Sequence, residues 1–112
     1  MNSDARFDHG NPPAAIFAAL GDPARQHLLE LLGTAGEATA TTLAGPLGMT
    51  RQAVAKHLAV LQAVGLVESN RAGKQVLFSI RPEPLDQAAA WLADTATLWD
   101  TRLAALKRAA ER

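Results

Sequence analysis

The chain reads LAGPLGMTRQAVAKHL at residues 43–58, and this segment decides the fold. Two short helical patterns are separated by Gly48, a residue that permits a sharp turn. Thr50 stands where it can cap the second pattern, in which Val54 and Leu58 follow at helical spacing. Two helices joined by a tight Gly turn, the second beginning with basic and amide side chains, predict a helix-turn-helix motif that reads DNA.

Cap and turn signals extend this prediction to the whole chain. We expect helices over 14–20, 23–32, 39–47, 50–64 and from 83 onward, with strands over 66–70 and 75–80. Gly21-Asp22-Pro23 divides the first two helices, and Thr39 or Thr41 caps the third. Gly73 supplies the positive φ of a hairpin, so the strands form a wing. The fold class is therefore mainly α: a winged helix-turn-helix with a two-stranded β-hairpin wing and a long C-terminal dimerisation helix.

The last helix is longer than so small a domain needs, at about 40 Å for 1.5 Å per residue. Its apolar positions repeat every three to four residues and are Leu85, Ala88, Leu92, Ala96, Trp99, Leu103 and Leu106. Such a helix usually packs against a second copy of itself, which places Leu92, Trp99, Leu103 and Leu106 at a dimer interface. The expected organisation is a flexible lead-in (1–13), a DNA-binding domain (14–82) and a dimerisation helix (83–112).

The charge of the chain is zero overall but unevenly distributed. Residues 1–50 sum to −3, residues 51–81 to +4 and residues 82–112 to −1. Positive charge therefore coincides with the predicted reading helix and wing.

Several classes of protein are disfavoured by what the 112 residues lack. Cysteine is absent, which removes disulfides, thiolate metal sites and catalytic thiols. The first dozen residues have no apolar core of a signal peptide, and no apolar run is long enough to span a membrane. No nucleophile–base pair or phosphate loop is visible. We expect a cytoplasmic protein that is not an enzyme, needs no cofactor and has no membrane partner.

The candidate DNA contacts lie on the outer side of the reading helix, opposite Val54 and Leu58. They are Thr50, Arg51, Gln52, Ala55 and Lys56. Arg51 suits guanine and Gln52 suits adenine in the major groove, while the small Ala55 lets the helix approach. The alternative is an ordinary solvated helix face, with Thr50 serving mainly as the cap.

Other polar and aromatic residues carry weaker predictions. Arg71 and Lys74 flank the wing tip and suit the DNA backbone or minor groove, although a polar hairpin needs such charges for solubility as well. His57 lies beside the inner face, where a boundary residue is favoured over a phosphate contact. Trp91 and Trp99 are about 80° apart around the helix, which favours core or interface packing over a ligand pocket between them.

A family resemblance is carried by FAALGDPAR at 17–25, LLELL at 28–32, LA at 43–44, GMT at 48–50, VAKHLAVL at 54–61 and GLV at 65–67. In this order the segments resemble the ArsR/SmtB family of bacterial winged helix-turn-helix repressors. The resemblance implies a homodimer joined through its first and last helices, which adds Phe17 to the interface. It also implies binding to an operator with twofold symmetry and repression of transcription.

The metal chemistry of that family is not matched here. Members that sense soft metals place paired cysteines where this chain has Thr39 and Thr41, and others use His and carboxylates on the last helix, which has no His. His9, His27 and His57 show no ligand spacing. We therefore expect no metal site, and any effector would be a small molecule that the sequence does not identify.

Two functions are compatible with these patterns. The first is a homodimeric, sequence-specific DNA-binding repressor that reads an inverted-repeat operator through the helix at 50–64 and a wing at 71–75. The alternative is a winged-helix module for protein–protein interaction without specific DNA binding, which the zero net charge keeps open.

Overall fold

A computed structural model of the protein describes residues 11–111. In chain order these residues form α1 (Asn11–Leu20), α2 (Pro23–Ala35), α3 (Ala40–Leu47), α4 (Arg51–Ala63), β1 (Val67–Ala72), β2 (Gln75–Ile80) and α5 (Glu83–Ala110). The predicted architecture, mainly α with a two-stranded hairpin and a long last helix, is confirmed. Residues 1–10 of the predicted lead-in lie outside the described residues, and residues 11–13 belong to α1.

The core is formed where α2, α3 and α4 meet. Six side chains in it are at most 1% exposed: Leu28, Leu32, Val54, Leu58, Leu61 and Leu66. Burying each of these side chains contributes about 1.5–3 kcal/mol before the entropy of ordering is set against it. Three of the six belong to α4, so its inner face is fixed against the core and its opposite face must point to solvent.

The turn between α3 and α4 is determined by Gly48, which has φ +65°. The Gly48 N–H donates to the Gly45 carbonyl (3.0 Å) and the Met49 N–H to the Ala44 carbonyl (3.1 Å), the pair of bonds that defines a Schellman motif. The Thr50 hydroxyl oxygen accepts the Ala53 N–H at 3.1 Å, as predicted for a cap. Since Thr50 follows the turn so closely, α4 begins almost where α3 ends.

The wing is an antiparallel hairpin in which Ala72 is opposite Gln75 and Val67 is opposite Ile80. Its turn is Gly73-Lys74, with Gly73 at φ +65°, as a two-residue hairpin turn with Gly first requires. A contact that the sequence did not predict attaches the wing to the helix-turn-helix. Ala38, just before α3, exchanges backbone hydrogen bonds with Phe78 of β2 at 3.0 and 2.8 Å.

The bounds of two elements differ from the sequence prediction. The first strand, expected at 66–70, is Val67–Ala72, so residues 71 and 72 belong to β1 and not to the turn. The loop expected at 33–36 is wrong for residues 33–35, because α2 continues to Ala35. The Thr34 hydroxyl donates to the Glu30 carbonyl at 3.1 Å, so this side chain is satisfied inside the helix. Of the two candidate caps of α3 the structure selects Thr39, whose hydroxyl oxygen accepts the Thr42 N–H at 3.0 Å.

Only the first part of α5 packs on the rest of the described chain. Ala88 is its one fully buried residue, and α5 lies against α1. Beyond that point its large apolar side chains are exposed. No helix in residues 11–111 has both the length and the apolar character that crossing a membrane requires.

Gly48 and Gly45 make a matched pair for testing the turn. Apart from its chain neighbours and the backbone of its own helix, a Cβ at either position would meet no atom within 4 Å, but Gly48 has a left-handed backbone and Gly45 lies within α3, directly before Pro46. We predict that Gly48→Ala lowers the free energy of unfolding by about 1–2 kcal/mol through backbone strain. Gly45→Ala should change it less, because the gain of about 0.5–1 kcal/mol in helix propensity is offset by the clash of a Cβ at this position with the Pro46 ring.

Urea unfolding at a single temperature measures both changes. A loss in Gly45→Ala as large as that in Gly48→Ala would contradict the role given to Gly48.

Candidate nucleic-acid interface

The outer face of α4 carries the predicted contacts in the predicted orientation. Thr50, Arg51, Gln52, Ala55 and Lys56 are all exposed. Within residues 11–111 the ion pairs join Arg25 to Asp22 and Arg81 to Glu83. The Arg51 and Lys56 side chains therefore have no carboxylate partner in the described part of the chain and can meet an anion from outside.

An open groove of about 550 Å³ runs between the start of α3, the start of α4 and β2. Four predicted residues line it, namely Arg51, Gln52, Ala55 and Lys74. Thr50, Lys56 and Arg71 are not part of its lining. The structure thus brings one wing charge to the reading helix and leaves the other apart, since Arg71 lies within β1 opposite Val76.

Several residues of the groove were not predicted to contact DNA. They are Thr39, Ala40, Thr41, Thr42, Gln75, Val76 and Phe78. The sequence pattern assigned the threonines to capping only, and Gln75 to a strand. What places them beside Arg51 is the backbone pairing of Ala38 with Phe78, a long-range contact without a local sequence signal.

The chemistry of the groove fits a polyanion. Two cationic side chains, Arg51 and Lys74, share its lining with Thr hydroxyls and two side-chain amides, and no carboxylate lines it. Half-buried Val76 and Phe78 add apolar surface. Cations, hydroxyls and amides are the groups that contact phosphates and base edges in protein–DNA complexes.

His57 lies on the side of α4 that turns away from this groove. It is half-buried, and the guanidinium Nη1 of Arg25 lies 3.4 Å from its Nδ1. The structure therefore favours the boundary interpretation of His57 over a phosphate contact. Nearby, the Asp22 carboxylate accepts the Ala24 N–H, and this hydrogen bond lowers the pKa of the Asp22 carboxyl from its ordinary value.

The residues predicted at a dimer interface divide into two groups. Phe17 is half-buried and meets Trp91 edge to face, with ring centroids 5.5 Å apart. Leu92, Trp99, Leu103 and Leu106 are exposed, from 52% for Leu92 to 66% for Leu106. The two tryptophans differ in their contacts and not in their exposure: Trp91, 47% exposed, meets Phe17 of α1, while Trp99, 53% exposed, lies beneath the guanidinium of Arg102.

The described residues contain no cluster of three or more His, Cys, Asp or Glu side chains that could hold a metal ion. Thr39 and Thr41, at which the family resemblance would place the cysteines of a soft-metal sensor, line the groove. That the protein does not sense a metal ion remains a prediction.

Comparison with known proteins agrees with this geometry. A helix-turn-helix domain family matches residues 20–70. The HTH-type transcriptional regulator YuzN of Bacillus subtilis is 44% identical over 77 residues, which cover 63% of this chain and 84% of that protein.

Solved structures show the same similarity. An ArsR-like transcriptional regulator from Rhodococcus superposes with a TM-score of 0.80 at 40% identity, over 90% of this chain and 94% of its own. A homodimeric winged helix-turn-helix DNA-binding domain from Mycobacterium bovis, a possible ArsR-family regulator, gives 0.68 at 27% identity, covering 87% and 89%.

Fold, groove and relatives together define a DNA-binding transcriptional regulator of the winged helix-turn-helix class, which is not a class of enzymes. Within that class, the chain belongs to the ArsR/SmtB family.

The residues predicted to read bases can be tested one at a time. We predict that Arg51→Ala and Gln52→Ala each relax base preference at one position per half-site, at a cost of about 1–3 kcal/mol against the preferred base. Competition binding with a duplex and its single-base variants measures this. Unchanged base preference in both variants would contradict the assignment of α4 as the reading helix.

Lys74 should behave differently, because a phosphate contact carries no base information. We predict that Lys74→Ala weakens binding to all duplexes similarly and makes the log–log salt slope shallower by about 2, one unit from each subunit of a dimer. Lys107→Ala, on the last turn of α5, is the matched control and should leave the slope unchanged. Equal slopes for the two variants would remove Lys74 from the interface.

Proposed function

We propose that the protein is a homodimeric, sequence-specific repressor that reads an inverted-repeat operator. It does so through residues 50–64, which are α4 with its two cap residues, and through the wing at 71–75. The observation that carries this proposal is the groove in which Arg51, Gln52 and Lys74 converge without a carboxylate. In each half-site, α4 enters the major groove and the wing lies along the neighbouring backbone.

The dimensions of the site support this placement. The major groove of B-DNA is about 12 Å wide and an α-helix with its side chains about 10–12 Å across, so close approach needs a small residue on the entering face. Ala55 provides it between the longer side chains of Arg51 and Lys56. Thr41 and Thr42 of α3 and Gln75 of β2, which also line the groove, contact the sugar–phosphate backbone beside that site.

The exposed stripe of α5 supports the dimer. Leu92, Trp99, Leu103 and Leu106 lie within about 60° around the helix, so they form one continuous apolar face. Isolated exposed leucines are ordinary, but an apolar stripe of this length is typical of an interface. The homodimeric M. bovis domain supports the same assembly. In this arrangement residues 14–82 bind DNA and residues 83–112 hold the two copies together.

In this scheme the protein represses transcription by occupying its operator. A twofold dimer places two copies of α4 about 34–36 Å apart, one turn of DNA, or a small multiple of that distance. A protein held there covers the face of the duplex that a polymerase would need. The family resemblance supports repression. The proposed setting is the bacterial cytoplasm. An effector would act by changing the distance or angle between the two copies of α4.

The test is selection of binding sites from a random duplex pool, with the wild-type protein and Leu103→Glu in parallel. Wild type should enrich an inverted repeat. Leu103→Glu places a charge in the middle of the apolar stripe, so it should sediment as a monomer and enrich at most a single half-site, with affinity lower by at least about 100-fold.

Leu98→Glu is the matched control, because Leu98 is also exposed but lies about 120° around the helix from Leu92. It should remain a dimer and enrich the wild-type repeat. No enrichment by a folded, dimeric wild-type protein would contradict specific DNA binding and favour the protein-interaction module.

A further inference from the structure

Arg25 connects three parts of the structure through one side chain. Its Nε donates to the Ala19 carbonyl and its Nη2 to the Ala18 carbonyl at 3.5 Å, both in the last turn of α1. Its Nη1 lies 3.7 Å from the Asp22 carboxylate and 3.4 Å from Nδ1 of His57 on α4. The side chain is only 17% exposed, so these contacts are made largely out of water.

The two ends of this connection belong to the two working parts of the proposed regulator. At one end, α1 carries Phe17, whose ring meets Trp91 of α5, the helix assigned to dimerisation. At the other end, His57 follows Lys56 on the reading helix. In the described residues Arg25 is the one side chain with polar contacts to both α1 and α4.

We propose that Arg25 is a positioning residue, which acts through His57 to set the angle of the reading helix relative to the dimer helices. This inference rests on the proposed function. Through that angle, Arg25 fixes the distance between the two copies of α4 in a dimer, and hence the half-site spacing that the protein prefers.

The physical reason for such a device is the composition of the core. The inner face of α4 is Val54, Leu58 and Leu61, and apolar packing of this kind tolerates small shifts of one helix over another. A hydrogen bond from a guanidinium is directional, and its planar fork is held here by the α1 carbonyls. The single hydrogen bond to His57 therefore restricts small shifts of α4 that the apolar contacts alone would permit.

The experiment measures affinity for a set of inverted repeats whose half-sites are moved apart one base pair at a time. His57→Ala removes the link to α4 and leaves the bonds of Arg25 to α1 and Asp22, so the fold is retained. We expect affinity for the preferred spacing to fall about tenfold, which is about 0.7 kcal/mol per subunit, a value at the low end for one hydrogen bond, as its 3.4 Å length implies. Affinity for operators with neighbouring spacings should change less than about twofold. On those operators the two copies of α4 are already out of register with the half-sites, so little is left to lose.

Two further variants separate positioning from stability. His57→Asn keeps an acceptor, the amide oxygen, near the position of Nδ1 and should restore the spacing preference to within about twofold of wild type. Gln26→Ala is the matched control: Gln26 donates to the Leu20 carbonyl of α1 at 2.6 Å but does not reach α4, so its loss should leave the preference unchanged.

Three results would overturn the inference. Equal weakening of all spacings by His57→Ala would show that His57 contributes stability or a phosphate contact only. An unaltered spacing preference in His57→Ala would show that the link carries no positional information. A wild-type protein without any spacing preference would remove the proposed function together with this inference, which distinguishes that failure from the other two.

Discussion

The left-handed backbone of Gly48, followed at once by the Thr50 cap, is the constraint on which the rest of the site depends. Because the chain reverses within Gly48-Met49-Thr50, α4 begins beside the end of α3. The buried face of α4 then fixes the rotation of the helix about its own axis, so the polar residues of its first turns point to solvent. A local turn and an apolar stripe are together sufficient to aim Arg51 and Gln52 outward.

A second constraint closes the groove from the other side. The backbone pairing of Ala38 with Phe78 places the start of α3 beside β2, and so brings Thr41 and Lys74 to opposite walls of one groove. Two of the five cationic residues of 51–81, Arg51 and Lys74, are thereby brought into one groove without a carboxylate, although the whole chain is neutral. Local concentration of charge, and not net charge, is what a polyanion meets at binding distance.

Local signals were sufficient for most of the fold and for half of the site. Asp22, Thr50 and Gly73 each perform the local role that their residue types predict. The extent of α2, the threonines of the groove and the contact of Arg25 with His57 could not be predicted. Each depends on contacts between segments far apart in sequence, which leave no periodic or capping pattern behind.

Protection of guanine N7 from methylation on the selected duplex tests most directly whether two copies of α4 occupy the major groove together. N7 is exposed only in that groove, where Arg51 is placed to reach it. The proposed arrangement predicts two protected clusters on one face of the duplex, about 10 base pairs apart or a small multiple of that spacing. A single protected cluster, or protection spread evenly around the duplex, would contradict it.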